Sequence, residues 1–299
     1  MPGPDDVRAQ IARLGRRSAE ARRRASYAEA TAARLEEQAA LPSASVPVSQ
    51  AWLRVAALQR QVQARHLAAA RLQDQYADRL RAWLKRDGEP EQQPVFADAV
   101  AAAIGMPSAA VILLGARHGE AVIAASDGTA RAAYDLEFVL GEGPAQLAVA
   151  RGQAVQASGT ALSDRWLLYG PAVARLGVQA VIAVPLQPPA RLGALCAYDS
   201  QPAVSREAMT AADMIADALP LTMLQAAHER QIGDGVPALP LISEADVPAF
   251  VHQAAGMVSQ QCGCGITDAF ALLRARAFSA GRPAEEIAAE VVHRGLRLC

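Results

Sequence analysis

The sequence is short of several things, and each shortage excludes a class of protein. Its four cysteines (Cys196, Cys262, Cys264 and Cys299) are too few and too unevenly placed for a disulfide framework. No apolar run approaches the roughly 20 residues that a membrane span needs. Met1-Pro-Gly-Pro-Asp-Asp6 has neither the basic nor the apolar region of a secretory signal. These absences place the expected protein in the cytoplasm. Catalytic signatures are missing too. There is no GxxxxGK(S/T), HExxH or GxSxG, and no GxGxxG after a strand. Cys262-Gly-Cys264 lacks a second ligand pair at zinc-finger spacing, so two small residues filling a helix–helix corner is the expectation there. His118, in the Arg117-His118-Gly119 turn, reads as a solvent-exposed side chain. The expectation is a protein that is not an enzyme, with no metal centre and no residue set that identifies a cofactor.

What is present is 299 residues, 52 % hydrophobic and 20 % charged, enough for two or three domains. The net charge of −1 is unevenly spread: +6 over residues 1–90, −6 over 91–240 and −1 over 241–299. A basic front and an acidic middle favour mutual attraction or an acidic partner. No strongly basic nucleic-acid domain stands out.

Residues 1–90 read as a helical stalk. From Asp5 to Leu41 there is no proline, and Val7, Ile11, Leu14, Ser18, Ala21, Ala25, Ala28, Ala32, Leu35 and Ala39 recur in steps of four and three. A break at residues 41–49 precedes a second helix from about Gln50 to Arg86. Its seam is Val55, Leu58, Val62, Ala69, Leu72, Tyr76 and Trp83, interrupted by Arg65 and Arg79. The alternatives are a solvated helical stalk and a dimerising coiled coil or helical hairpin. Dimerisation is favoured, because a lone helix has nowhere to put these side chains, and whether the stalk folds back on itself stays open. The clusters Arg16-Arg17 and Arg22-Arg23-Arg24 read as the solvated face.

Residues 94–231 mix periodicities. Helices are expected at Phe96–Ile104, from Gly143-Pro144 to Arg151 and from Ser205 to about Gln231, with a helical or irregular stretch over Asp164–Leu176. Strands are expected at 110–115, 120–125, 153–157, 180–186 and 192–198, with Asp127-Gly128 as a turn. Strands flanked by helices argue an antiparallel sheet covered by helices, an α+β domain. Gly141-Glu142-Gly143-Pro144, the Asp164-Arg165-Trp166 turn, Ala180-Val-Ile-Ala-Val-Pro185-Leu186 and Leu192-Gly193-Ala-Leu195 resemble a GAF domain, a small-molecule sensing and dimerisation fold. Ala145 stands where relatives of this type often have a cysteine. The resemblance implies a pocket on the inner face of the sheet. Its candidates here are Glu137, Arg165, Trp166 and Tyr169, each of which has packing as an equally good explanation.

Residues 232–242 form a Gly/Pro-rich linker. Residues 243–299 then read as three short helices. Ser243 and Asp246 supply a capping-box-like start. Val247, Val251, Ala254 and Val258 make one apolar face; Phe270, Leu273 and Ala277 a second; Ile287, Ala288 and Val291 a third, a small three-helix bundle. The elements Gln253-Ala254-x-Gly256-Met257, Ala269-Phe270-x-Leu272-Leu273-Arg274-x-x-Ala277 and Ile287-Ala288-x-x-Val291-Val292 resemble the ANTAR domain, an RNA-binding transcription antitermination module of bacteria. Ala255 stands where many members carry a lysine. The resemblance implies capture of paired stem-loops in a leader transcript.

The surface expected to do this is His252, Gln253, Gly256, Ser259 and Gln260 on the first helix, Arg274 and Arg276 projecting outward from the second, and Arg282 after it. Arginine's planar fork suits phosphates and base edges. A glycine within a helix, such as Gly256, signals close approach of another backbone. The expected whole is an α+β multidomain regulator, a homodimer through stalk and GAF domain. The rival is a dimeric GAF scaffold or ligand sensor whose C-terminal bundle makes protein contacts.

Overall fold

The computed structural model describes residues 4–41, 45–86, 93–114, 121–186, 192–231, 249–282 and 284–299. The described residues fall into two compact units. One contains the N-terminal helices with Asp217–Gln225; the other contains the sheet domain and the C-terminal helices. The capping box at Ser243, Val247, the turn at His118 and the linker over 232–242 lie outside the described residues.

In the first unit, α1 (Pro4–Ala39) and α2 (Val46–Leu84) form an antiparallel hairpin. Two ion pairs fix the direction: Arg22 with Asp74 at 2.5 Å, and Arg60 with Glu36 at 2.9 Å. The seam of α1 is the expected one, with Val7, Leu14, Ser18, Ala21, Ala25, Ala28 and Ala32 buried. Asp5 and Asp6 lie in its first turn, where the helix dipole favours negative charge. The second helix starts at Val46 rather than Gln50, because Pro47 falls in the first turn, where its missing N–H is not needed.

The expected seam of α2 is correct only in its C-terminal half. Ala69, Leu72, Tyr76 and Trp83 are buried, with the Tyr76 hydroxyl accepting a hydrogen bond from Gln10 of α1 at 3.2 Å, while Val55 and Leu58 are exposed. An intrachain partner therefore takes the side chains for which the sequence suggested a second chain. Arg65, out of place in an apolar seam, is neutralised by Asp217 of helix α8 (Arg206–Gln231) at 3.0 Å. Beside that pair, Ala68 and Ala69 pack on Ala218.

The second unit is built on a five-stranded antiparallel sheet in the order β2-β1-β5-β4-β3. The strands are β1 (Ser108–Leu114), β2 (Ala121–Ala125), β3 (Val155–Ser158), β4 (Ala180–Leu186) and β5 (Gly193–Asp199). Side chains alternate between faces. Ala110, Ile112, Val181, Ala183, Cys196 and Tyr198 share one face in a single cluster with residues of the crossover helices. The residues between them, such as Val111, Ile182, Leu195 and Ala197, point the other way and are also buried. On the edge of the sheet, α3 (Phe96–Ile104) packs on β1 and β2.

The crossover from β2 to β3 carries α4 (Gly128–Leu140) and α5 (Pro144–Arg151). That from β3 to β4 carries α6 (Thr160–Arg165) and α7 (Tyr169–Arg175). Asp127-Gly128, expected as a turn, opens α4, a helix the sequence pattern does not announce. Asp127 is instead its N-cap, accepting a hydrogen bond from the Ala130 N–H at 2.8 Å.

The C-terminal helices are α9 (Ala249–Cys262), α10 (Ile266–Ala280) and α11 (Ala284–Arg294). The three predicted apolar faces meet in one core of Val251, Ala254, Val258, Phe270, Leu273, Ala277, Ile287, Ala288 and Val291. Ala255 is also fully buried there, so its position serves packing. Cys262 is not just a small corner residue. It is disulfide-bonded to Cys299, closing a loop that encloses α10 and α11. Sequence spacing gave no sign of this pair, because the two residues meet only once the bundle has folded.

Candidate functional site

Helix α4 is the element around which the chemistry of this unit collects. Its inner side carries Glu137, 1 % exposed, whose carboxylate accepts backbone N–H bonds from Ala145 (3.3 Å) and Gln146 (2.7 Å) at the start of α5. A residue of one helix thus caps the next, supplying acceptors for amides that α5 leaves unpaired. Gly143 makes this possible: a Cβ there would lie 2.4 Å from the Glu137 side chain. Glu142 caps in turn, taking the N–H groups of Leu168 (2.7 Å) and Tyr169 (2.9 Å) at the start of α7. The Gly-Glu-Gly-Pro run thus makes room for one cap, Glu137, and supplies another, Glu142. Burial pushes the Glu137 carboxyl up to about 7, against the pull of the two N–H groups toward the carboxylate.

Around Glu137 lies a polar spot in an otherwise apolar core. Tyr169 and Tyr198 are fully buried, and neither hydroxyl makes a hydrogen bond of ordinary geometry among the described residues. Burial raises both phenols and the Cys196 thiol, and the nearby Glu137 charge raises them further. Trp166, 4 % exposed, meets Tyr169 edge to face with ring centroids 5.8 Å apart. Of the four pocket candidates, Glu137, Trp166 and Tyr169 thus come together inside the domain. Arg165 does not. Its guanidinium stacks on the outside of Trp166 at 5.8 Å and donates to the Gln156 carbonyl.

The same helix meets the C-terminal bundle. Phe138, next to Glu137, contacts Phe270 edge to face at 6.3 Å and carries the Arg274 guanidinium over its ring at 5.7 Å. Arg274 therefore does not project outward as expected. It is half-buried, its Nε has no hydrogen-bond partner, and the aromatic ring of α4 holds it by a cation–π contact. Phe138 was not foreseen from the sequence, because the helix carrying it was missed.

The other expected RNA contacts separate into three groups. Gln253, Gln260 and Arg276 are exposed. Ser259 and Arg282 are engaged within the bundle: the Ser259 hydroxyl donates to the Cys264 carbonyl at 2.6 Å, and Arg282 pairs with Glu286 and Glu290, each at 3.0 Å. Among the described residues no heavy atom lies within 4 Å of where a Cβ on Gly256 would stand, so the expected close backbone approach is absent there. His252 lies on α9, its side chain outside the described residues.

On the far side of α4 from Glu137, a half-open cleft of about 590 Å3 runs between α4, α7 and the end of α10. It is walled chiefly by leucine, valine and alanine side chains and by Phe278, with Asp135, Arg175 and Arg282 at its polar points.

Comparison with known proteins agrees with the architecture of the sheet domain. Residues 93–222 match the GAF domain family. The chain thus contains a GAF domain, a fold typically used to sense signals. Among solved structures, it is similar to a domain of a protein described as a two-component sensor histidine kinase from Sinorhizobium meliloti 1021. The identity is 18 %, the TM-score 0.35, and the match spans 46 % of this chain and 92 % of that one. No curated protein matches the chain significantly. None of its described helices is long and apolar enough to cross a membrane.

Proposed function

We propose that the chain is a non-enzymatic regulator in which the GAF domain senses a signal and the C-terminal bundle binds RNA stem-loops in leader transcripts, preventing termination. The observation that carries this reading is the bundle itself. Its buried core includes Ala254, Ala269, Phe270, Leu273, Ala277, Ile287, Ala288 and Val291, all among the residues that carry the ANTAR resemblance, and Gln253, Gln260 and Arg276 remain on its surface. The sensing half rests on the polar spot of Glu137, Tyr169 and Tyr198, a cluster of buried polar groups in which neither hydroxyl has a partner of ordinary geometry among the described residues. Phe138, one residue from Glu137, connects that spot to Arg274.

The working unit is a homodimer. Val48, Val55 and Leu58 form an outward stripe on α2 at heptad spacing, all exposed, which a second hairpin would cover. Two bundles held in one dimer would engage two hairpins, the second contact being effectively intramolecular.

Binding of the full chain to paired stem-loop RNAs, measured at two salt concentrations, tests the reading. Loop-dependent binding that weakens steeply with salt is expected. Arg276→Ala should weaken it about tenfold, and Phe138→Ala should strengthen it by releasing Arg274. Absence of binding at low salt, in the presence and absence of candidate GAF ligands, overturns it.

A second reading has its own support. Arg282 is neutralised by two glutamates, Arg274 is held by Phe138 and Ala255 is buried. A bundle with so little free positive charge suits protein contacts. Saturable, salt-insensitive capture of a protein by the bundle face bearing Gln253 and Gln260, without RNA binding, would establish that reading instead.

A further inference from the structure

From the cleft on the outer side of α4 we infer a second ligand site, distinct from the core around Glu137 and independent of what the bundle binds. Its occupant is a small amphiphilic anion, with an apolar body and one negatively charged head.

The apolar body follows from the walls. Leu136, Val139 and Leu140 of α4 line one side. Leu167, Leu168 and Phe278, exposed by 77 %, 53 % and 61 %, complete the others. Scattered exposed leucines need no explanation, but several large apolar side chains gathered in one concavity mark a place where something binds.

The size of the occupant follows from the volume. At about 590 Å3 the cleft falls within the range of roughly 300–1,000 Å3 typical of small-molecule sites. A partner helix about 10–12 Å across would exhaust that space in about one turn, so a peptide or a second copy does not fit it well.

The sign of the head follows from the charges. Asp135 is already paired with Arg131 at 3.3 Å, and Arg282 is paired with Glu286 and Glu290. Arg175 has no ion-pair partner among the described residues, which leaves the cleft one uncompensated positive charge. Its planar fork matches a carboxylate or phosphate monoester. An occupant would touch both α4 and α10, the two helices joined by the Phe138–Arg274 contact. It would therefore sense or set how the bundle rests on the GAF domain.

The test is titration of the full chain with dodecanoate below its micelle concentration, beside dodecanol and dodecyltrimethylammonium. Saturable one-to-one binding of the carboxylate is expected, with the alcohol and the cation at least about tenfold weaker. Arg175→Glu and Phe278→Asp change exposed side chains and should leave the fold intact by circular dichroism. Each should weaken dodecanoate binding at least about tenfold, and Arg175→Glu should turn the preference toward the cation. No saturable binding, equal binding of all three probes, or binding unchanged in both variants would each overturn the inference. So would self-association of the unmodified chain that Phe278→Asp abolishes, since the cleft face would then belong to a second copy.

Discussion

The helical hairpin and the GAF domain exclude water by opposite means. The hairpin does it with Ala21, Ala25, Ala28 and Ala32, small side chains that let two long helices lie close and bury little area each. The cross-links over that seam, Arg22–Asp74 and Glu36–Arg60, are exposed and screened by solvent. The GAF domain fills its interior with Tyr169, Tyr198, Leu162, Ile182 and Leu195, and at some points presses backbone against backbone. Repetition makes the hairpin forgiving at any single exposed position. Close packing makes the GAF domain intolerant of one extra methyl group where its strands touch.

The largest expected effect tests that contrast at Gly193, the first residue of β5. A Cβ there would stand 1.8 Å from the Ile112 carbonyl oxygen on the neighbouring strand, and the residue has a φ of +146°. Gly193→Ala thus meets both a backbone clash and a conformation that side chains avoid. It should cost about 3 kcal/mol or more in denaturant unfolding followed by circular dichroism. A loss under about 1 kcal/mol would show that the sheet can part locally and that the contrast is overstated.

A smaller effect concerns the buried carboxyl of Glu137. In the unfolded chain it releases its proton near 4.5, and in the folded domain near 7. Between those values the native state holds more protons, so stability falls as pH rises. This contribution is fully present below about 4.5 and lost as pH climbs through about 7, a change of order 3 kcal/mol over the window. Ordinary paired carboxylates act in the opposite sense, and the hairpin, whose carboxylates lie on its surface, has no counterpart. Glu137→Gln keeps the shape without the titration. It should flatten the pH dependence of GAF unfolding between pH 5 and 8, and an unchanged profile would show that Glu137 stays ionised throughout.

Much of this architecture was legible in the residues. The α1 seam and the three faces of the bundle are periodic patterns, and β4 and β5 are short continuous apolar runs buried on both faces; both signals are local and survive without knowledge of the fold. Helix α4 was missed because Asp127-Gly128 serves as well for a turn as for a helix start. Only the acceptor role of Asp127 distinguishes the two. That one miss hid Phe138, and with it the reason Arg274 turns inward. The topology of the stalk was also beyond periodicity: a heptad seam reports that a helix has a partner, and the ion pairs 22–74 and 36–60 identify that partner. Glu137, a pocket candidate on sequence grounds, is a buried cap of the next helix in the structure; that role has no sequence signature, because a cap supplied by the preceding helix has no fixed spacing.

The smallest effects bring the comparison down to single methyl groups. Gly15 lies exposed on α1, and Gly256 lies on α9; among the described residues neither has a heavy atom within 4 Å of the position a Cβ would take. Alanine at either position should stabilise its helix by about 0.5–1 kcal/mol, because glycine has more backbone freedom to lose on folding. The same substitution that breaks the sheet at Gly193 should therefore improve the hairpin at Gly15. If Gly15→Ala instead weakened the hairpin in concentration-dependent unfolding, a second copy would have to lie against that face. At Gly256 the two readings of the bundle part. A variant that gains stability but loses stem-loop binding would place that bare stretch of α9 against RNA, since no described residue competes for the space. A gain in stability with RNA binding unchanged would mean that Gly256 faces only solvent, leaving Gln253, Gln260 and Arg276 to make the contact.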